Sequence, residues 1–156
     1  MKKVWAVYFS GTGTTKKTVN FIADKLAEKF KTEKEIFDFT LPEERKGIKE
    51  FNKNDIVIFG TLVIAGRVPN VLLKYLDTLK GNGALAVPVV LFGNRDFNDA
   101  LMELSDILAK DGFKPIGAGA FVGEHSFSKI LAQGRPDEDD MKIMEEFSNK
   151  IYEKIT

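Results

Sequence analysis

The chain has 156 residues, a length that suits one domain, and its composition excludes several classes of protein. Lys plus Arg equals Asp plus Glu at 23 each, so no overall field favours nucleic acid or an anionic membrane surface. With no cysteine and one histidine, His125, the sequence has no disulfide, no thiolate nucleophile and no Cys-rich or His-rich metal site. It shows no signal pattern and no apolar run near the roughly 20 residues of a membrane span. We therefore predict a cytoplasmic protein with one domain over residues 1–156.

Continuous apolar runs predict three strands that are buried on both faces of a sheet. A charged, imperfectly alternating segment is typical of an edge strand, and a Gly- and Ala-rich segment predicts a fifth strand. Pro88 is expected near the beginning of its strand, because proline cannot donate a hydrogen bond to a sheet. The five predicted strands cover residues 4–9, 34–39, 55–60, 86–92 and 116–122.

Amphipathic patterns between these strands predict helices. The first carries one apolar stripe from Val19 to Phe30, and the second is a short polar helix that opens at Pro42. Proline at the first position or acids in the first turn mark the starts of later helices. The five predicted helices run from Thr14 to Phe30, from Pro42 to before Phe51, from Pro69 to Leu79, from Asp96 to Leu108 and from Pro136 to Ile151.

The alternation of strands and helices predicts an α/β three-layer sandwich around a five-stranded parallel sheet, because right-handed crossovers place helices on both faces. The expected strand order is 2-1-3-4-5, with the ligand at the carboxyl ends of the strands. This rule selects the loops at residues 10–15, 61–67 and 93–97, with the loop at 123–128 beside them.

The loop from Ser10 to Thr15 contains only Ser, Gly and Thr and leads directly into a helix. Free N–H groups and the helix dipole favour an anion at such a position. Lys16 replaces the second glycine of a P-loop, and it also breaks the dinucleotide fingerprint that Gly11 and Gly13 begin, although Asp38 is placed to bind a ribose. The remaining interpretations are a terminal phosphate monoester site and an ordinary strand-to-helix turn.

The motif Ser10-Gly11-Thr12-Gly13-Thr14-Thr15 resembles the flavodoxin signature [ST]-x-T-G-N-T, with Thr14 at the asparagine position. The resemblance continues over residues 60–70, 93–97 and 119–128. These segments are similar to the flavodoxin-like half of proteins from anaerobes that fuse this domain to a two-cluster ferredoxin module. Because this chain has no cysteines to hold clusters, it resembles a stand-alone version of that domain.

The resemblance implies non-covalent FMN binding and electron transfer between redox proteins of the ferredoxin or reductase type, with no catalytic residue of the chain's own. It implies a phosphate site in the first loop and an isoalloxazine site between the next two, where Phe97 supplies the stacking face. The phosphate residues are Ser10, Gly11, Thr12, Gly13, Thr14 and Thr15, and the ring residues are Thr61, Leu62, Val63, Ile64, Gly66, Gly93, Asn94, Arg95, Asp96 and Phe97.

Leu62 and Ile64 stand where that subgroup has Pro and Tyr, so one aromatic wall is missing and weaker flavin binding is expected. Two alternatives to an electron carrier follow. One is an FMN-dependent reductase of a small quinone or nitro acceptor, with His125 and Arg95 in an open pocket over the ring. The other is a binding or regulatory module that has lost the flavin. Outside the reductase hypothesis, His125 is expected to be a polar loop residue.

Overall fold

The computed structural model describes residues 2–9, 14–45, 49–62, 68, 70–92, 98–122 and 138–155. These residues form one parallel sheet with helices on both faces. The strands are β1 (Lys3–Tyr8), β2 (Lys34–Asp38), β3 (Asp55–Leu62), β4 (Leu85–Phe92), β5 (Lys114–Pro115) and β6 (Gly119–Val122). The helices are α1 (Thr14–Phe30), α2 (Asn70–Leu76), α3 (Asn98–Lys110) and α4 (Glu138–Ile155), with a 3-10 helix at Pro42–Arg45.

The strands lie in the order β2-β1-β3-β4-β5, and β6 also pairs with β4. Every pairing is parallel. The predicted order 2-1-3-4-5 and the predicted three-layer α/β sandwich are therefore confirmed. Among the described residues, no helix combines the length and the apolar character that crossing a membrane requires.

Successive side chains of each central strand enter two separate cores, because strand side chains alternate between the faces of a sheet. Val4, Ala6 and Tyr8 of β1 pack in the core that α1 and α4 cover, while Val7 packs in the core that α2 and α3 cover. Each fully buried Leu or Ile side chain stabilises the fold by about 1.5–3 kcal/mol. The two cores thus hold β1, β3 and β4 as the rigid centre of the sheet.

Pro88 lies in the middle of β4, contrary to the expectation that it begins the strand. The carbonyl of Ala86 accepts a hydrogen bond from the Ile116 N–H at 2.9 Å, so the backbone groups of Ala86 face the strand on the outer side of β4. Backbone groups two residues apart face the same side, so those of Pro88 face that outer side too. Proline has no N–H to offer on that side. Of the predicted fifth strand, residues 116–122, only Gly119–Val122 form a strand, β6. Residues 116–118 lie opposite residues 87–88 of β4 as a bulge between β6 and β5, and β5 precedes the predicted range.

The segment after β2 contains the 3-10 helix Pro42–Arg45 where the sequence predicts a longer helix. The predicted residues 46–48 lie outside the described part of the chain. At the end of the segment, the Lys49 ammonium lies 4.1 Å from the ring centroid of Trp5, 5.1 Å from that of Phe37 and 5.4 Å from that of Phe51. A cation over three aromatic faces thus covers this part of the sheet, where a helix would otherwise provide the cover.

Gly60 permits α1 to approach β3 at the carboxyl end of the sheet. A Cβ atom at this residue would lie 2.2 Å from Cγ2 of Val19 and 3.3 Å from Cγ2 of Thr15. Valine in a helix has one strongly preferred rotamer, so Val19 cannot turn its methyl group away. The first turns of α1 therefore rest directly on the backbone of β3.

We expect Gly60→Ala to destabilise the protein by about 1–3 kcal/mol, because the added methyl group overlaps Val19. Urea unfolding of the wild type and the variant measures this loss. The double variant Gly60→Ala with Val19→Ala removes the overlapping methyl group. Its loss should be smaller than the sum of the two single losses. Strictly additive losses would show that the contact does not limit the approach of α1.

Asp111 follows α3 at the amino-terminal edge of the sheet, and its Oδ2 atom is buried without a hydrogen-bond partner in the described part of the chain. Burial raises the pKa of the Asp111 carboxyl to about 7; the nearby Asp77 carboxylate also raises it, and Lys110 lowers it. Between about pH 4 and about pH 7 the folded state therefore holds a proton that the unfolded state has released. Stability should fall as the pH rises through this range.

Asp111→Asn cannot ionise, so its free energy of unfolding should fall less than that of the wild type between about pH 5 and about pH 8. Urea unfolding at both pH values, followed by the fluorescence of Trp5, measures the difference. Asp106→Asn, a substitution at an exposed residue of α3, is the matched control and should follow the wild type. Parallel pH profiles for the wild type and Asp111→Asn would contradict this expectation.

Candidate functional site

The carboxyl ends of β1, β3 and β4 lie side by side. Tyr8 pairs with Gly60, and Leu62 pairs with Leu91, one residue before the end of β4. β6 ends at Val122, which pairs with Phe92. The loops that were predicted to bind the ligand therefore all begin at the same edge of the sheet, where these strands end. In parallel α/β sheets ligands bind at the carboxyl ends of the strands, and these ends lie next to one another here.

Two of the predicted phosphate residues belong to α1. Thr14 is its first residue, and Thr15 is 1% exposed and lies beside the end of β3, near Gly60. Helix α1 has no acidic residue in its first turn. The N–H groups that lack partners within the helix and the positive end of its dipole therefore lie at this edge, and the first turn itself adds no carboxylate to offset them.

Thr18 is fully buried one turn into α1, and its hydroxyl makes no hydrogen bond to any residue that the structure describes. An unsatisfied buried hydroxyl costs about 1–3 kcal/mol, so its presence requires an explanation. The Cα–Cβ bond of a helical residue is tilted toward the helix N-terminus, so the side chain of Thr18 lies over the turn that contains Thr14 and Thr15. Thr18 was not among the residues predicted from the sequence, although its spacing from Thr14 and Thr15 places the three on one helix face.

Thr61 and Leu62 are the last two residues of β3, and Thr61 is fully buried. The other predicted ring residues and the first part of the phosphate loop lie outside the described residues, as does His125. Their predicted roles remain predictions. These residues are Ser10, Gly11, Thr12, Gly13, Val63, Ile64, Gly66, Gly93, Asn94, Arg95, Asp96 and Phe97.

Phe9 extends β1 by one residue, because its N–H donates to the carbonyl of Gly60 at 3.1 Å. Its ring contacts Phe39 at a centroid distance of 6.3 Å, and the Arg45 guanidinium carbon lies 5.7 Å from its centroid. Arg45 also donates hydrogen bonds to the carbonyls of Phe39, at 2.8 Å, and Thr40, at 3.0 Å. Arg45 therefore fixes the residue that precedes the phosphate loop, a role that the sequence did not reveal.

The carboxylate of Asp38 accepts hydrogen bonds from the backbone N–H and the hydroxyl of Thr40. This is a local turn in which an Asp side chain binds the backbone two residues later. The acid that a dinucleotide site would use for the ribose therefore serves the end of β2. Together with Lys16, this contact argues against the dinucleotide interpretation.

On the other side of the edge, the N–H of Val68 donates to Oε1 of Glu103 on α3 at 3.2 Å. Val68 is 1% exposed. Val68, which lies between the loop after β3 and the start of α2, is therefore held against α3. Both the entry to that loop, on β3, and its return point are fixed by buried structure.

No protein-family model matches the chain, and no curated protein matches its sequence. Solved structures do match its fold. A short-chain flavodoxin associated with a non-canonical PDU bacterial microcompartment is 16% identical with a TM-score of 0.69, covering 100% of both chains. The flavodoxin of Streptococcus pneumonia TIGR4 is 18% identical with a TM-score of 0.66, covering 97% of this chain and 99% of that chain.

The apo form of an NADH:FMN oxidoreductase is also similar, at 16% identity and a TM-score of 0.70, covering 97% of this chain and 89% of that chain. The two flavodoxins and the oxidoreductase all match over nearly the whole of this chain, so the likeness concerns the architecture. The strand order and these neighbours together establish that the chain has the flavodoxin-like α/β fold.

Proposed function

We propose that the chain binds FMN non-covalently at the carboxyl edge of the sheet and carries electrons between protein partners. The observation that carries this proposal is the start of α1, where the buried, unbonded hydroxyl of Thr18 lies one turn from the helix N-terminus. A phosphate dianion would accept hydrogen bonds from such a hydroxyl and from the free N–H groups of the helix. Bound FMN would supply the redox chemistry, and the chain would anchor its phosphate and orient its ring.

The fit to the phosphate rests on three features of the described residues. Gly60 brings the first turns of α1 against β3, Thr15 is buried beside that contact, and no acid in the first turn repels an anion. A buried hydroxyl without a partner is a donor that a ligand oxygen can satisfy. An ordinary strand-to-helix turn would gain nothing from leaving Thr18 unbonded.

We further propose that the partners are cytoplasmic redox proteins of the ferredoxin or reductase type. The resemblance to domains that anaerobes fuse to a two-cluster ferredoxin module supports a carrier role. The formal net charge of zero indicates that docking depends on local groups rather than on an overall field.

A second candidate function is an FMN-dependent reductase of a small quinone or nitro compound. The likeness to an NADH:FMN oxidoreductase, at a TM-score of 0.70, is the observation that favours it. In that case the ring would have an open face for the acceptor, with Arg95 and His125 beside it.

Titration of the purified protein with FMN, followed by visible absorption and by calorimetry, tests both candidates. We expect a bound-flavin spectrum with binding heat, and no turnover of quinones or nitro compounds with NADH or NADPH unless a reductase is added. Turnover without an added reductase would replace the carrier with the reductase. The absence of both spectral change and binding heat would refute both and leave a flavin-free module.

The variant Thr18→Val should raise the stability of the protein without FMN and lower its affinity for FMN. Without FMN it should be more stable by about 1–2 kcal/mol, because an unsatisfied buried hydroxyl is replaced by a methyl group of similar size. FMN binding should weaken about tenfold, because one hydrogen bond to the phosphate is lost. Urea unfolding and calorimetric titration measure the two effects.

Riboflavin, which lacks the phosphate, is the ligand control: its affinity should be equal for the wild type and for Thr18→Val. Thr78→Val is the matched variant, because it makes the same chemical change at an exposed residue after α2, near the opposite edge of the sheet. It should not alter FMN affinity. Equal FMN affinity for the wild type and Thr18→Val would remove Thr18 from the phosphate site.

A further inference from the structure

We propose that the outer edge of β2 pairs with the same edge of a second copy of this chain to form a two-fold symmetric dimer. Within the described ranges, β2 pairs only with β1. The N–H of Phe39 donates to the carbonyl of Tyr8. The backbone N–H and C=O groups of the odd-numbered residues in and just after β2 therefore face β1. The backbone groups of Lys34, Ile36 and Asp38 therefore point away from the sheet, where another strand can bind them.

The sequence of β2 is complementary to itself in the antiparallel direction. When two copies pair with Ile36 opposite Ile36, Lys34 of each copy lies opposite Asp38 of the other. A parallel pairing would place lysine against lysine, and a shift of the register by two residues would separate the opposite charges. The charges of β2 therefore favour one direction and one register.

The backbone geometry agrees with this register. Residues 34, 36 and 38 are the ones whose N–H and C=O groups point outward, and in an antiparallel pair centred on Ile36 these residues exchange hydrogen bonds. Their side chains also share one face of the sheet, because Ile36 pairs with Ala6, which packs in the core beneath α1. Backbone and side-chain requirements thus select the same arrangement.

Ile36 is 51% exposed in the single chain, so about half of this apolar side chain is open to a partner. In the symmetric pair it would contact its own counterpart. Lys34 donates to Asn20 Oδ1 at 2.8 Å and lies 2.8 Å from Asp24 Oδ1, which uses two of its three donors. Its third donor can reach the carboxylate of Asp38 on the second copy.

The proposed dimer is weak and depends on concentration. A five-residue edge offers less than the roughly 1,200 Å² that a stable interface buries. Exposed ion pairs add little individually, although each pair occurs twice by symmetry. We therefore expect association within the micromolar to millimolar range.

Analytical ultracentrifugation of the wild type, Lys34→Asp and Asp38→Lys tests the proposal. Each variant alone places two pairs of like charges across the two-fold axis, so its dimer should weaken about tenfold or more. An equimolar mixture of the two variants pairs opposite charges again and should restore dimers of wild-type strength. Circular dichroism and the fluorescence of Trp5 report whether each variant is folded.

If Asp38→Lys does not fold, a second pair of variants tests the same interface. Ile36→Lys places two cations at the centre of the interface and should abolish dimers. Leu41→Lys makes the same change at another exposed apolar residue, 63% exposed and outside the paired strand, and should leave them intact. A wild type that stays monomeric at millimolar concentration, or dimers that persist in Ile36→Lys, would overturn the proposal.

Discussion

The contact between α1 and β3 at Gly60 determines the geometry of the carboxyl edge. Because residue 60 has no side chain, Val19 and Thr15 lie against the strand backbone, and the N-terminus of α1 is set beside the ends of β1 and β3. The two apolar cores then hold these elements at fixed positions. A site for an anion at this edge depends on the close approach more than on any single polar group.

The same edge contains a buried hydroxyl that has no hydrogen-bond partner among the described residues. Thr18 is fully buried and has no bonding partner within the described ranges, whereas Ser148, also fully buried, donates to the carbonyl of Met144 at 2.8 Å. The contrast is informative because the two hydroxyls are otherwise in similar helical surroundings. Proteins commonly give up stability where a ligand must be bound, and the difference between Thr18 and Ser148 fits that pattern.

Local patterns were sufficient to predict much of the fold. The apolar runs of β3 and β4, the stripe of α1 and the charged edge strand β2 all agree with the structure. The bulge opposite Pro88 was missed because it depends on which neighbouring strand each backbone group faces. The positions of the Lys49 and Arg45 cations were missed because they depend on aromatic rings that are distant in sequence. At the site, the strand ends and the start of α1 were predictable. Thr18 was not, because an apolar stripe pattern does not show that a threonine within it lacks a partner.

Pro88 and the bulge at residues 116–118 also determine how this sheet can grow. The bulge interrupts the edge formed by β5 and β6, whereas the edge formed by β2 is continuous. A sheet with one regular edge can join only one other sheet, and that joined pair has an irregular strand at each end. If β2 edges pair as proposed, the association would therefore close at two copies rather than extend into an open fibre.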